Sequence, residues 1–368
     1  MRIAFVLESF NIGGAERQAY NLACSFQSLG HEVTMVALTK DGKLSYLLEE
    51  NRIHSVVLGA KTNYGKLNFF KLKKLLKNTL KSQSPDAIRP YTYWPNLITN
   101  LVWKKTGAKV SFWNQRDEIP FDRVDLASKA ILNATYIVAN SDGGRLHLTD
   151  SFQSLDLAST HVIRNGVKLP KQTEDNEYWF KKLGKRKNQI SVVMVANLQY
   201  RKNHKIVLDS WRKVVDHFQD HQIFPKLYLA GRFDDMVYKL KGHCFDLMFT
   251  NEVSFLGGVD DVRGLLERMD LGVFASFHEG SPNGILEPMY MGLPVIANRI
   301  KGNVEVLGAE NPGLVRSDDV EQLSEKLISF IKDEMLRETV GEVNFDRVKN
   351  EFSIENVTAK YLKLCNSY

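Results

Sequence analysis

The feature that most limits what this chain can fold into is a repeated alternation. Short runs of apolar residues, without polar residues interleaved, are each followed by a longer amphipathic run. Apolar runs stand at residues 3–7, 33–38, 53–58, 109–113, 136–139 and 161–163, with helical spacing at 15–29, 66–81, 95–105 and 124–132. After a polar stretch the alternation restarts. Further apolar runs lie at 191–195, 226–230, 253–256, 271–275 and 294–297, and helical patterns at 205–215, 262–269, 320–331 and 354–364. Strands apolar on both sides must be covered on both faces, which parallel sheets wrapped by helices achieve. The expected class is therefore α/β, with two doubly wound Rossmann-like domains facing each other. Ligands in such sheets bind beyond the carboxyl ends of the strands, so the cleft between the domains is the expected site. Residues 165–187, opening with Asn165-Gly166 and Pro170, read as the linker.

Composition removes other classes. The chain has 368 residues, 43% of them hydrophobic and 25% charged, which is the balance of an ordinary soluble protein and not of a disordered tail or a membrane bundle. No stretch approaches the roughly 20 apolar residues of a membrane span, and the first apolar run is too short for a signal-peptide core. Cys24, Cys244 and Cys365 are far apart and form no C-x-x-C pair, so a reducing cytoplasm is expected and a zinc site is not. The net charge of +6 is uneven: residues 1–168 carry +8 and the remainder −2.

Four segments carry chemistry. Gly13-Gly14-Ala15-Glu16-Arg17 follows the first strand and opens a helix, where glycines admit a ligand close to free amides and a phosphate is the expected guest. A tight strand-to-helix turn explains it equally well. Asn197 through His204 follows the first strand of the second half, and Arg201 or Lys202 would hold a diphosphate there, unless they are merely a solvated basic helix start. Gly231-Arg232 ends the next strand, and Arg232 is either a third anion contact or an ordinary surface arginine. The most specific string runs from Glu279 to Glu287. Asn283 reads as an N-cap that leaves the amides of Gly284, Ile285 and Leu286 free, and Glu287 is placed to accept hydrogen bonds from a vicinal diol. A capped helix with surface carboxylates is the plain alternative. No D-x-D and no His/Asp/Glu cluster at metal-ligand spacing occurs, so no metal is expected.

Taken together, these strings resemble retaining glycosyltransferases of the GT-B fold, family 4 (glycosyl transferases group 1), nearly end to end. The marks are Gly13-Gly14-Ala15-Glu16-Arg17, Asn165-Gly166-Val167, Lys202-Asn203-His204, Phe255-Leu256-Gly257 and, above all, the E-x7-E pair Glu279 and Glu287 followed by Gly292-Leu293-Pro294-Val295. The resemblance implies an acceptor-side domain at 1–168, with a C-terminal helix at 352–368 packing back on it, and a nucleotide-sugar domain at 169–351. It implies that Glu279 contacts the donor sugar, that amides of Asn283, Gly284 and Ile285 meet the sugar and β-phosphate, and that Glu287 binds the ribose. Gly13, Gly14 and Lys202 would hold the diphosphate, and the backbone near Gly257 the base. Catalysis would be retaining and metal-free, with a UDP-sugar as the default donor. Asn197 stands where the family often has a phosphate-binding arginine, so Arg201 or Arg232 is expected to supply that charge. The family's histidine after the middle strand of the first domain is absent from Trp113-Asn114-Gln115-Arg116-Asp117-Glu118, and Gln115 or Arg116 takes its place in the expected acceptor side.

The expected reaction is transfer of a sugar to a lipid-linked saccharide or polysaccharide precursor of a cell-surface glycan such as O-antigen or capsule. Residues 66–81 interleave six lysines with an apolar stripe. Near an anionic membrane each lysine contributes about 1 kcal/mol. Peripheral attachment to the inner membrane face is therefore expected, against the alternative of a core-facing stripe with solvated lysines. A GT-B sugar-nucleotide epimerase or phosphorylase-like enzyme and a catalytically silent partner subunit remain open, the last resting on Asn197 alone. Nucleic acid is not an expected partner, because no module interleaving aromatic and basic residues is present.

Overall fold

A computed structural model of the chain describes all residues except 62–64, 117–120, 154, 170–171, 249–250 and 368, and omits the side chains of residues 66 and 157. It divides into two units, Met1–Gly166 with Ser353–Tyr368, and Val167–Phe352. Asp117 and Glu118, quoted above beside Arg116, and Pro170 of the expected linker lie outside the described residues.

Among the described residues the first unit holds seven strands: β1 (Arg2–Leu7), β2 (Glu32–Ala37), β3 (His54–Val57), β4 (Ala87–Pro90), β5 (Val110–Gln115), β6 (Tyr136–Ala139) and β7 (Thr160–Val162). They pair in parallel in the order β3-β2-β1-β4-β5-β6-β7. The second unit holds β8 (Gln189–Val195), β9 (Phe224–Ala230), β10 (Val253–Gly257), β11 (Leu271–Phe274), β12 (Val295–Asn298) and β13 (Leu314–Val315) in the order β10-β9-β8-β11-β12-β13. Each sheet starts at its centre, winds out one way and then the other. This places a topological switch point between β1 and β4 in the first unit and between β8 and β11 in the second.

β4 departs from the pattern. Its four residues include Arg89 and Pro90, so no apolar run marks it, yet it lies centrally and Arg89 is fully buried. The guanidinium sits 3.4 Å from the ring centre of Tyr361, with the rings of Phe5, Phe26, Tyr91 and Phe112 within 6 Å. A weakly hydrated, delocalised cation tolerates such a cage because the ring faces are negative. Tyr361 belongs to the helix Ile354–Asn366, which turns Ile354, Val357, Tyr361 and Cys365 into the core of the first unit at helical spacing. Gly166 lies where a Cβ would come within 3.1 Å of the Ile354 backbone, and both its backbone groups are held by the Gln18 amide, at 2.7 and 3.1 Å.

The segment 165–187 is not an open linker. Residues Asn176–Leu183 form a helix whose Trp179 and Leu183 are buried in the second unit. The Asp175 side chain accepts from the Tyr178 amide, Gly184 closes the helix in the left-handed region, and the Trp179 indole donates to Asp261 at 3.1 Å. The cap, the closing glycine and the Trp179–Leu183 spacing are present in the sequence but hidden among polar residues. The three cysteines are free thiols, and among the described residues no helix is long and apolar enough to cross a membrane.

Candidate active site

In the second unit the site is built where two loops leave the sheet at its switch point. After β8 the chain passes Asn197 and makes a single 3-10 turn, Tyr200–Lys202. Asn203, in the left-handed region at φ 42, then turns it into the helix His204–His217, and asparagine is among the few side chains that accept such a backbone. The loop after β11 is bonded to this turn: the Arg201 carbonyl accepts from the Phe277 amide and the Ser276 hydroxyl, both at 2.9 Å. These bonds bring Lys202 against Glu279.

Lys202 and Glu279 form an ion pair with side chains only 13% and 9% exposed. The same Glu279 oxygen, Oε1, accepts from the Ser276 hydroxyl at 2.8 Å and lies 3.6 Å from an Arg201 nitrogen. The Lys202 ammonium also stands 5.1 Å from the Phe274 ring centre. Burial pushes its pKa below the ordinary lysine value, the charge of Glu279 pulls it back up, and neighbouring Arg201 adds to the depression. A buried ion pair contributes little net stability once desolvation is counted, and its position at strand carboxyl ends suits a working group better than a structural one. Lys202, Ser276 and Arg201 all approach Glu279 at Oε1, which leaves Oε2 to accept from a ligand.

Behind Glu279 stands a brace that no motif disclosed. The Ser276 amide donates to the Asn298 side chain at 3.2 Å, and that side chain donates back to the Ser276 carbonyl at 2.8 Å. Asn303 in turn donates to both Asn298 oxygens at 2.9 Å. Gly302 presses so closely on the loop that a Cβ there would lie 2.1 Å from the Glu279 carbonyl. Asn298, an asparagine ending the strand Val295–Asn298, is the sequence signal by which this brace could have been found.

The helix Asn283–Tyr290 corrects one expectation. Its N-cap is Pro282, not Asn283, and no side chain caps it. The amides of Ile285 and Leu286 are not free: both donate to the Pro282 carbonyl at 3.1 Å. Of the three amides expected to be free, those of Gly284, Ile285 and Leu286, only that of Gly284 does not donate to Pro282. Gly284 is required for packing, since a Cβ there would meet the Val195 carbonyl at 2.5 Å and the Phe274 ring at 2.6 Å. Gly284→Ala is therefore expected to destabilise the protein by about 2–3 kcal/mol, because neither obstacle can retreat without moving a strand end; urea unfolding measures it. Glu287, one turn on, is 4% exposed.

The rim beside β8 is stitched in strand order. Asn197 accepts from the Arg232 amide at 3.1 Å, the Leu198 amide donates to the Arg232 carbonyl at 3.0 Å, and the Gly231 amide donates to the Gly257 carbonyl at 2.9 Å. Gly257 sits at φ +73 beside a register shift, a conformation that favours glycine. The side chain at 197 is thus committed to joining two strand ends, and of the two expected substitutes for the missing arginine it is Arg201 that reaches Glu279. Arg232 is exposed one loop away, on the end of β9.

The remaining candidates belong to the first unit. Gly13 caps the helix Gly14–Ser28 with extended backbone and no side-chain bond, and Glu16 folds back to within 2.6 Å of where a Gly13 Cβ would lie. Gly14 is exposed. Gln115 is buried at the end of β5 and accepts from the Trp113 indole at 3.0 Å. Arg116 hydrogen-bonds the Asn165 side chain and lies 5.1 Å from the Tyr91 ring centre.

The family model described as "Glycosyl transferases group 1" matches residues 175–346, and "Glycosyltransferase Family 4" matches residues 12–170. The chain belongs to glycosyltransferase family 4. The lipopolysaccharide core biosynthesis glycosyltransferase LpsE of Rhizobium meliloti is 32% identical to this family 4 chain over 148 residues, 39% of this chain and 43% of LpsE. The N,N'-diacetylbacillosaminyl-diphospho-undecaprenol alpha-1,3-N-acetylgalactosaminyltransferase of Campylobacter jejuni is 25% identical over 223 residues, 52% of this chain and 58% of that protein. The chain thus spans about half the length of these two curated relatives. Anabaena Alr3699/HepE, crystallised with UDP and glucose, has a TM-score of 0.85 at 20% identity, over 100% of this chain and 99% of that one. Likeness at that identity establishes the fold, a two-domain GT-B.

Proposed function

We propose that the protein is a retaining, metal-independent glycosyltransferase that moves a sugar from a nucleotide sugar, by default a UDP-sugar, to a lipid-linked saccharide in cell-surface glycan synthesis. The observation that carries this reading is the Lys202–Glu279 pair, held at the β8–β11 switch point on the loop that leads into the helix Asn283–Tyr290. In this reading Lys202 and Arg201 meet the diphosphate together with the amide of Gly284. Fixed cations and amide dipoles then stabilise the charge that develops on the leaving nucleoside diphosphate, with no reorganisation at the moment of reaction. Glu279 directs Oε2 at sugar hydroxyls while Lys202 and Ser276 fix Oε1. Glu287 takes the ribose diol, and the backbone at Gly257 borders the base. The UDP bound by Alr3699/HepE supports the choice of base, and the diphospho-undecaprenol in the Campylobacter relative's name supports a lipid-linked acceptor.

A thermal-shift screen of UDP, GDP and ADP with their sugars tests the donor. Binding to the native state alone raises stability by about 2.7 kcal/mol at a ligand concentration one hundred times Kd, so the right nucleotide stands out. Glu287→Ala is expected to remove about half of that shift or more by weakening the nucleotide's hold about tenfold or more, the loss of a charged hydrogen-bond acceptor. A full shift in Glu287→Ala would remove the ribose role, and no shift with any nucleotide would overturn the donor reading.

A further inference from the structure

Strand β11 leaves its neighbours early. Its ladder with β8 ends at Gly272 and its ladder with β12 at the pair Phe274 and Ala297. Two residues further on, Ser276 is fully buried, so its amide and carbonyl need partners beyond the ladder. The Asn298 side chain supplies both, accepting from the amide at 3.2 Å and donating to the carbonyl at 2.8 Å. One carboxamide thus adds a further rung to the sheet where the strand pairing stops. Its orientation is dictated by its partners. Turning it over would set an NH2 group against the Ser276 amide and an oxygen against the Ser276 carbonyl. Asn303, fully buried, locks it from behind by donating to the Asn298 side-chain oxygen and to the Asn298 carbonyl, both at 2.9 Å.

From Ser276 this order passes to the site. Its hydroxyl donates to Glu279 Oε1 at 2.8 Å, so a displacement at residue 276 reaches that carboxylate. Lys202 has a hold of its own, in the 3-10 turn Tyr200–Lys202, where its amide donates to the Gln199 carbonyl at 3.0 Å. Glu287 and Gly257 stand on other elements, the helix Asn283–Tyr290 and the end of β10. We infer that Asn298 is a positioning residue for sugar transfer: it acts through Ser276 to aim Glu279 Oε2 at the donor sugar, while the hold on the nucleotide does not depend on it. The inference rests on the reading above, in which Glu279 meets the sugar, and adds the residue that fixes its aim. Such support matters because a group misplaced by about 1 Å costs about 10²-fold in rate, even when the residue responsible never touches the substrate. A buried carboxamide with all its partners in the fold gives that precision, which a loop alone does not.

Calorimetric titration of the full chain tests it, with two ligands: the nucleotide sugar that shifts wild type most in the screen above, and its free nucleoside diphosphate. Asn298→Asp keeps the size and the acceptor oxygens but has no hydrogen for the Ser276 carbonyl, and Asn298→Ala removes the rung altogether. Both are expected to bind the nucleotide sugar about tenfold more weakly, the loss of one hydrogen bond to a charged group, and to bind the free diphosphate as wild type does. Their kcat is expected to fall about 10²-fold. Ser276→Ala leaves every backbone bond of the rung in place and removes only the hydroxyl, so it should fold and show the same split between the two ligands. That variant decides the matter where the Asn298 variants do not fold. Equal weakening of both ligands would mean a merely structural role and would overturn the inference, as would full affinity for the nucleotide sugar in Ser276→Ala. Absent binding of any nucleotide to wild type would remove the donor reading and this role together. Binding by wild type with no split in the variants would remove this role alone and leave the donor reading standing.

Discussion

Replacing Lys202 with alanine is expected to lower turnover about 10²–10³-fold, the loss seen when one fixed donor to a developing negative charge is removed. Lys202 is placed for this by four constraints: the 3-10 turn that ends on it, the Glu279 carboxylate, the Phe274 ring and its own burial. Arg201 is half-exposed and 3.6 Å from Glu279, so it remains in Lys202→Ala to partner the carboxylate, and the fold should survive. Lys202→Arg should restore little, because a planar guanidinium does not fit the space of a compact ammonium. The same geometry fixes a pH dependence. Burial lowers the Lys202 pKa, so its charge is lost as pH rises at a midpoint below the ordinary 10.5. The alkaline limb of kcat/KM, which reports the free enzyme, should therefore fall before a normal lysine would titrate and should be missing from Lys202→Ala. Initial rates of transfer or donor hydrolysis, with the nucleotide sugar selected by thermal shift, measure both. Wild-type kcat/KM in Lys202→Ala would remove Lys202 from the chemistry.

What the sequence disclosed and what it hid have physical reasons. Most strands were legible because a strand buried on both faces needs consecutive apolar residues, as in Val192 to Val195. β4 was not, because its stability comes from an arginine in an aromatic cage whose members, from Phe5 to Tyr361, meet only in three dimensions. β13, with two residues, is too short to show a pattern. The Glu279–Glu287 string was legible because it is contiguous and opens a helix. Its support was not, since Ser276, Asn298 and Asn303 come from three elements and each looks like an ordinary polar residue. The cap was misplaced by one residue because Asn283 has the chemistry of a cap while Pro282, lacking an amide hydrogen, sits equally well before a first turn. Asn197 was legible as a departure, but its commitment to the Arg232 amide is a contact between strand ends that spacing does not reveal.

His204 carries a second large expected effect, on stability. It follows Lys202 and Asn203 and opens the helix His204–His217 at 2% exposure. Burial pushes its pKa down to about 4, the Ala196 carbonyl opposes that, and the charge of Lys202 adds to it. The unfolded chain keeps a value near 6.5, so between about pH 6.5 and pH 4 it binds a proton that the native state refuses, and stability must fall as pH falls. The loss begins below about 6.5 and is complete below about 4. It amounts to roughly 3 kcal/mol, because each pH unit separating the unfolded and native values is worth about 1.36 kcal/mol. That is a substantial fraction of the roughly 5–15 kcal/mol that holds a typical domain together. Replacing His204 with leucine keeps an apolar group of similar bulk and removes the titration. Urea unfolding of wild type and His204→Leu across this range should give curves that diverge towards acid, with the variant the flatter. Parallel curves would mean that the imidazole is protonated in the native state. Its positive charge would then stand beside Lys202, where it would strengthen the pull on a diphosphate at low pH. A neutral His204 instead leaves Lys202 and Arg201 as the cations beside Glu279.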